Sequence, residues 1–362
     1  MKQRKSNIEL LRIIAMFLIV AHHFSVHGGF KDFNSVVSLN KFWVQLLQLG
    51  GKIGVNVFVI ISGYFLISST RIRIKKILKF WLQLFFYSIW IYFIFIFIGN
   101  ETLSIKELIK NSFPIVFERW WFASTYFVIY LLSPYLNKFL NSFDRLRYQR
   151  FILFLTILWC IIPTFTNKNF QSNMLFWFIY LYALGGYIRL YGVFDSVKAK
   201  TCILLAALTS LITFLSAVFF DVLGYKFNYF SKHATYFFDT QKLPILVISV
   251  LLFLGFLKIN IEFNKVINMI ASATFGVYLI HDNSYVREFL WSVLFKNASY
   301  AFSDYLIPYS ILVIILVYMI CTLIELLRVH LIEEKYLSLL DKISDMIEER
   351  LDKFLGFICK AM

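Results

Sequence analysis

The chain has 362 residues, of which 60% are hydrophobic and 20% aromatic, while only 16% are charged and the mean hydropathy is +0.72. That balance excludes a soluble globular domain and describes an all-α polytopic membrane protein. A formal net charge of +15 would suggest nucleic acid in a soluble protein, but here Lys- and Arg-rich loops facing the cytoplasm and anionic lipid account for it, so no nucleic-acid partner is expected.

Ten apolar runs are read as spans, at approximately 8–27, 44–69, 80–99, 118–136, 151–166, 174–191, 203–221, 242–258, 266–283 and 306–328. An even number places both ends on one side. The loops on that side hold about twice the Lys and Arg of the opposite loops, so both termini are expected in the cytoplasm of a cell membrane. Lys2, Arg4 and Lys5 precede the first run with no small-residue cleavage site after it, so that helix should remain as a signal anchor. The division expected is a membrane unit over 1–328 and a cytoplasmic amphipathic tail over 329–362, with no soluble catalytic domain. Cys160, Cys202, Cys321 and Cys359 lack metal-ligand spacing and read as packing residues. Neither a metal nor a resident cofactor is expected.

The first run, IELLRIIAMFLIVAHHFSVH, carries an arginine and a histidine pair. Arg12 and His23 are eleven positions apart, so on a helix they lie within roughly 20° of each other, three turns apart on one face. His22 points about 100° away, and His27 returns to the line. Polar side chains on a lipid-bound helix turn toward protein or water, which makes this stripe a candidate site. The plainer reading has Arg12 snorkelling to the headgroups beside Glu9, with His23 at the outer interface.

The second run carries Gly50 and Gly54 at GxxxG spacing and a further Gly63, and reads as the packing neighbour of helix one. After it comes RIRIKKILKFW, with Arg71, Arg73, Lys75, Lys76 and Lys79 together. The positive-inside rule alone explains such a run; the functional alternative is an electropositive mouth for a phosphate-bearing ligand. Glu118, Arg119, Trp120, Trp121 and Phe122 open the fourth run, followed by Tyr126, Tyr130 and Ser133-Pro134. Tandem tryptophans usually form an aromatic belt, and stacking on sugar rings is the second reading. IASATFGVYLIH ends in His281-Asp282, expected at the outer surface, where His281 is either simply solvated or handles an acceptor. From His330, Ile332, Tyr336, Leu339, Leu340, Ile343, Ile347, Leu351, Phe354 and Ile358 mark one amphipathic helix on the inner leaflet or against a partner.

No GxSxG elbow, Walker loop, HExxH or paired Cys motif is present, and His27-Gly-Gly-Phe-Lys-Asp32 fits an HxxxxD pattern without its companion blocks. Proton transfer is left to histidine on a membrane helix, with arginine and lysine to hold an anion.

At this point SNIELLRIIAMFLIVAHHF resembles the opening helix of the acyltransferase-3 family, integral membrane O-acyltransferases marked by an Arg, ten residues and a His on the first span. IGVNVFVIISGYFLI resembles the family's second-span block, WWFASTYFVIYLLSPYLN its Trp-Phe to Ser-Pro block, and FGVYLIH its late block, all in order. The family's Arg-x-x-Arg pair before its third span is represented here by Lys76 and Lys79, or by Arg73 and Lys76 in the other register. Lysine keeps the charge and loses the bidentate fork. The chain is expected to be a standalone member without the SGNH domain fused to some relatives.

The resemblance implies that acyl-coenzyme A, most commonly the acetyl form, docks its phosphates on Arg73, Lys76 and Lys79 and threads its pantetheine arm between the helices. Arg12 would orient the donor, and His23 would act as general base on a sugar hydroxyl of a cell-surface or lipid-linked glycan. Trp121, Tyr126 and His281 would contact substrate. Polysaccharide modification in a bacterium is the setting implied. A transporter or flippase of glycan-lipids is the rival reading, against which stands the lack of internal sequence symmetry.

Overall fold

The computed structural model describes residues 5–30, 33 and 37–361; Lys2, Arg4 and Asp32 lie outside the described residues, as do the side chains of Leu351, Phe354, Ile358 and Cys359. In chain order the α-helices are α1 (Ser6–His27), α2 (Leu39–Leu66), α3 (Ile74–Phe97), α4 (Ile105–Ser112) and α5 (Trp121–Asn141). Next come α6 (Arg145–Thr156) and α7 (Ile162–Thr166), continuous through a π turn, then α8 (Met174–Tyr191), α9 (Ala199–Gly224) and α10 (Asn228–Ser231). The last are α11 (Leu243–Lys258), α12 (Lys265–His281), α13 (Ser284–Glu288), α14 (Leu306–Arg328) and α15 (Glu334–Ala361). Among the described residues there is no strand. In a bilayer every backbone group must be satisfied within the chain, and helices do so residue by residue.

The protein is an all-α polytopic membrane protein. Among the described residues, eight helical segments are long and apolar enough to cross a membrane. Of the ten expected spans, the two without such a counterpart are still helices, α5 and α12. Helix α12 has only 17 residues, and α5 is diluted by Ser124, Thr125, Ser133, Asn137 and Asn141. Both spend hydropathy on small and polar residues because they line the interior rather than face lipid alone. At the periphery α9 shows the opposite pattern, with Leu204, Leu208, Leu211, Ile212, Leu215 and Phe219 exposed.

Helix α1 sits at the centre, packed on α2, α12, α14 and α11. Its contact with α2 is set by glycines: a Cβ on Gly54 would stand 2.5 Å from the backbone oxygen of Ala15. Only a hydrogen there lets the two axes come so close, as the GxxxG spacing predicts. On its far side α2 meets α8 in the same way, since a Cβ on Gly63 would lie 2.1 Å from the Tyr182 carbonyl oxygen.

Buried polar groups tie the bundle together. Asn7 donates to the carbonyl oxygens of Phe256 at 2.9 Å and Ile259 at 3.0 Å, satisfying the end of α11. Lys41 on α2 pairs with Asp221 on α9 at 2.7 Å, and Gln45 donates to the same carboxylate at 2.7 Å. At the opposite end of the bundle Arg328 is clamped between Glu325 at 2.8 Å and Glu333 at 2.6 Å. Gln83 and Tyr87 of α3 donate to Glu325 at 2.8 and 2.5 Å. This network fixes the π turn at Val329–Glu333 through which α14 passes into the amphipathic α15. Cys160, Cys202 and Cys321 are buried free thiols in the packing.

Candidate active site

The expected stripe on α1 is turned inward. Arg12, near one end of the helix, and His23, near the other, both line a cavity of about 200 Å³ enclosed by α1, α2, α3, α5 and α12. Its walls include Met16 and Ile19 from the turns between them, Phe58 and Ser62 of α2, and Phe80 of α3. Helix α5 adds Trp121, Phe122 and Tyr126, and α12 adds Thr274, Phe275 and Tyr278. A second cavity of about 300 Å³ abuts the first and shares Arg12, Ser62, Phe80 and Tyr126 with it. It runs out past Tyr130 to Lys76 at the N-terminal end of α3. Arg12 therefore stands at the junction. Its Nε is buried and makes no hydrogen bond among the described residues, which is uncommon for a buried donor and marks it as available to a ligand.

Of the basic run, Lys76 is exposed at the cavity mouth, and Arg73, one turn earlier, is held by its backbone N–H donating to the Tyr130 hydroxyl at 3.4 Å. Lys79 lies elsewhere. It is engaged by Glu333, as Lys75 is by Asp341, and the Ile74 N–H donates to Glu348 at 3.2 Å. The acidic residues of the π turn and α15 thus occupy one face of the basic run, while Lys76 lines the cavity. Of the two expected pairs, Lys76 with Lys79 and Arg73 with Lys76, the shared member Lys76 lines the cavity, whereas Lys79 is engaged by Glu333 and Arg73 sits at the N-cap of α3.

At the far end, His22 and His23 part as the helical period requires. The Nδ1–H of His22 donates to the Gln48 carbonyl oxygen at 2.6 Å, and a Cβ on Gly51 would collide with its ring at 2.2 Å. His22 is a packing residue of the α1–α2 contact. His23 turns to α12, where its Nδ1 lies 2.9 Å from Nε2 of His281 and 3.6 Å from a carboxylate oxygen of Asp282. The His27 ring lies 5.2 Å from that of His23, tilted by 47°. The ligand atoms of His23, His27 and Asp282 lie within 4.8 Å of one another, close enough to hold a cation.

His281 and Asp282 are not the solvated pair expected at the outer surface. They are 0% and 2% exposed, since α1 and α13 close over the end of α12. Asp282 is also paired with Arg287 at 2.9 Å. Trp121 is partly exposed at the cavity wall and Tyr126 sits at the junction of the cavities, whereas Trp120 is buried in the core. Sequence reasoning missed Arg287, Thr274 and Tyr278. A signal existed: Thr274, Tyr278 and His281 fall at i, i+4 and i+7 on α12, a second polar stripe facing the first.

Nearby, the segment around α4 is clamped by Glu107, which accepts from Lys110 at 2.6 Å, Tyr285 at 3.2 Å and Arg119 at 3.3 Å. The Lys110 hydrogen bond, aided by Arg119, holds its carboxyl below the usual carboxylate range.

A cationic mouth, a guanidinium whose Nε is without a hydrogen-bond partner among the described residues and a histidine with one free ring nitrogen, set along two abutting cavities, suit transfer of a group from an anionic carrier. No curated protein and no solved structure matches the chain at a significant level. A family model described as an acyltransferase domain matches residues 5–326, which takes in both cavities and every residue that lines them. The chain belongs to the acyltransferase-3 family and is a membrane acyltransferase.

Proposed function

We propose that the protein moves an acyl group, most simply acetyl, from cytoplasmic acyl-coenzyme A to a sugar hydroxyl of a cell-surface or lipid-linked glycan. The observation that carries this reading is the pair of abutting cavities that joins Lys76 to His23 through Arg12. Along the helix axis Arg12 and His23 are about 16 Å apart at 1.5 Å per residue, a length that an extended pantetheine arm spans. The donor's phosphates rest on Arg73 and Lys76, the arm passes Arg12 between aromatic walls, and the thioester reaches His23. The guanidinium of Arg12 supports the arm's polar groups and the carrier's negative charge.

In the reaction His23 Nε2 takes the proton of the acceptor hydroxyl as its oxygen bonds to the thioester carbonyl carbon. The C–S bond then breaks, and the thiolate leaves, finally taking the proton back from the imidazolium. Ester and free coenzyme A thiol are the products, and nothing else is consumed. Trp121 offers a face for a sugar ring next to the reacting carbon. In this orientation both termini and the 70–79 segment are cytoplasmic, as the Lys and Arg distribution favours. Labelling of single cysteines there from outside intact cells would remove the donor entrance.

The test is turnover. Purified protein in lipid vesicles, given labelled acetyl-coenzyme A and a panel of cell-wall or capsular oligosaccharides, should transfer label to at least one acceptor. His23→Ala should abolish transfer while leaving folding and insertion intact. Transport of an unmodified glycan without label transfer would overturn the reading.

A further inference from the structure

The hydrogen bonds around His23 fix where its proton sits. His281 Nδ1 lies 2.6 Å from the Val277 carbonyl oxygen, and a carbonyl oxygen can only accept, so Nδ1 of His281 carries hydrogen. His281 has no exposed surface, and a second charge on that ring would go unsolvated. The ring is therefore neutral and its Nε2 is a bare acceptor. His23 Nδ1, 2.9 Å away, must be the donor, which leaves the lone pair on Nε2. One backbone carbonyl on α12 thus determines the tautomer of a histidine on α1.

The carboxylate beside this chain has a second use. Asp282, 2% exposed, stands 3.6 Å from the same His23 Nδ1 and is held by Arg287 at 2.9 Å. When His23 takes a proton, its new charge forms in a buried site on the same side as the Arg287 guanidinium, and Asp282 is the anion placed to offset it.

We propose that His281 and Asp282 are positioning residues for the base, His281 by fixing the reactive tautomer of His23 and Asp282 by stabilising the imidazolium that forms in the transition state. The inference rests on the reading of His23 as general base. Neither residue lines the donor cavities, so neither should touch the donor. The logic is that of a histidine oriented through its Nδ1–H so that Nε2 is free to act.

The experiment measures kcat and donor KM for His281→Ala, His281→Gln and Asp282→Asn in vesicles, beside His23→Gln. His281→Ala and Asp282→Asn should each lower kcat roughly 10–100-fold, a part of the ~10²–10⁴-fold that a general base supplies, with donor KM unchanged. His281→Gln should recover much of the rate, because its amide oxygen can replace Nε2 as the acceptor. A ¹⁵N spectrum of histidine-labelled protein should show His23 protonated at Nδ1. The proposal fails if His281→Ala keeps wild-type kcat, if kcat falls only together with a matching rise in donor KM, as a mispacked α12 wall would cause, or if His23 carries its proton on Nε2. Normal turnover by His23→Gln removes the base reading itself, a result that none of the α12 variants can mimic.

Discussion

Lys76 and Lys79 are one turn apart, yet the structure gives them opposite expectations. Lys76 opens onto the donor cavity, and Lys79 is held by Glu333. Two unit charges 4 Å apart interact by about 1 kcal/mol in bulk water and about 4 kcal/mol at an effective dielectric of 20. Lys76 is exposed, so its contribution to a donor phosphate lies near the lower figure. One kcal/mol is about a fivefold change in an equilibrium constant. Lys76→Gln should therefore raise donor KM about fivefold with kcat nearly intact, since the phosphates take no part in bond making. Adding Arg73→Gln should raise it further, by less than the product of the single effects because the two charges neighbour each other. Lys79→Gln should leave KM within about twofold and show instead as lower thermal stability, because Glu333 loses one of two cations; that loss stays modest, as Lys79 is 45% exposed. The assay is initial rate against labelled acetyl-coenzyme A in vesicles, repeated at high salt, where the Lys76 effect should shrink. Equal KM effects at Lys76 and Lys79, or none at Lys76, would refute the assignment of the mouth.

His22→Ala should keep most of the transfer activity and cost on the order of 1–3 kcal/mol of stability, as a buried hydrogen bond and ring contact are lost, whereas a dead His22 variant would mean that the face of α1 has been misread. Gly63→Ala should destabilise the protein by at least about 1–3 kcal/mol through overpacking, because its Cβ would stand 2.1 Å from a backbone oxygen that cannot swing aside; an unchanged melting temperature would show that α2 and α8 are less tightly docked.

The features legible in the sequence are those set by helical period and by residue size. Arg12 and His23 share a face because eleven residues are nearly three turns, and Gly50 and Gly54 mark a helix contact whoever the neighbour is. What the sequence does not carry is which distant chain segment arrives. His281 reads as a helix end at an interface until α1 is laid against it, and Lys79 reads as a free cation until Glu333, on a turn near the other end of the chain, comes to meet it. Helices α5 and α12 fall short of a span's apolarity for a related reason: residues that build a polar interior lower the very apolarity by which a span is recognised.

A cavity that reaches deep into a membrane protein from one side, toward a histidine cluster near the other, also poses the problem of ion leakage. Each 100 mV across the membrane drives a unit charge with about 2.3 kcal/mol. At the junction of the two cavities stands the guanidinium of Arg12, flanked by Phe80 and followed by Phe58 and Phe122. A positive charge among aromatic walls repels protons and metal cations. The same side chain that can receive an anionic carrier would thereby oppose cation entry, so loss of its charge should be felt as proton conductance even in cells that offer the enzyme no substrate.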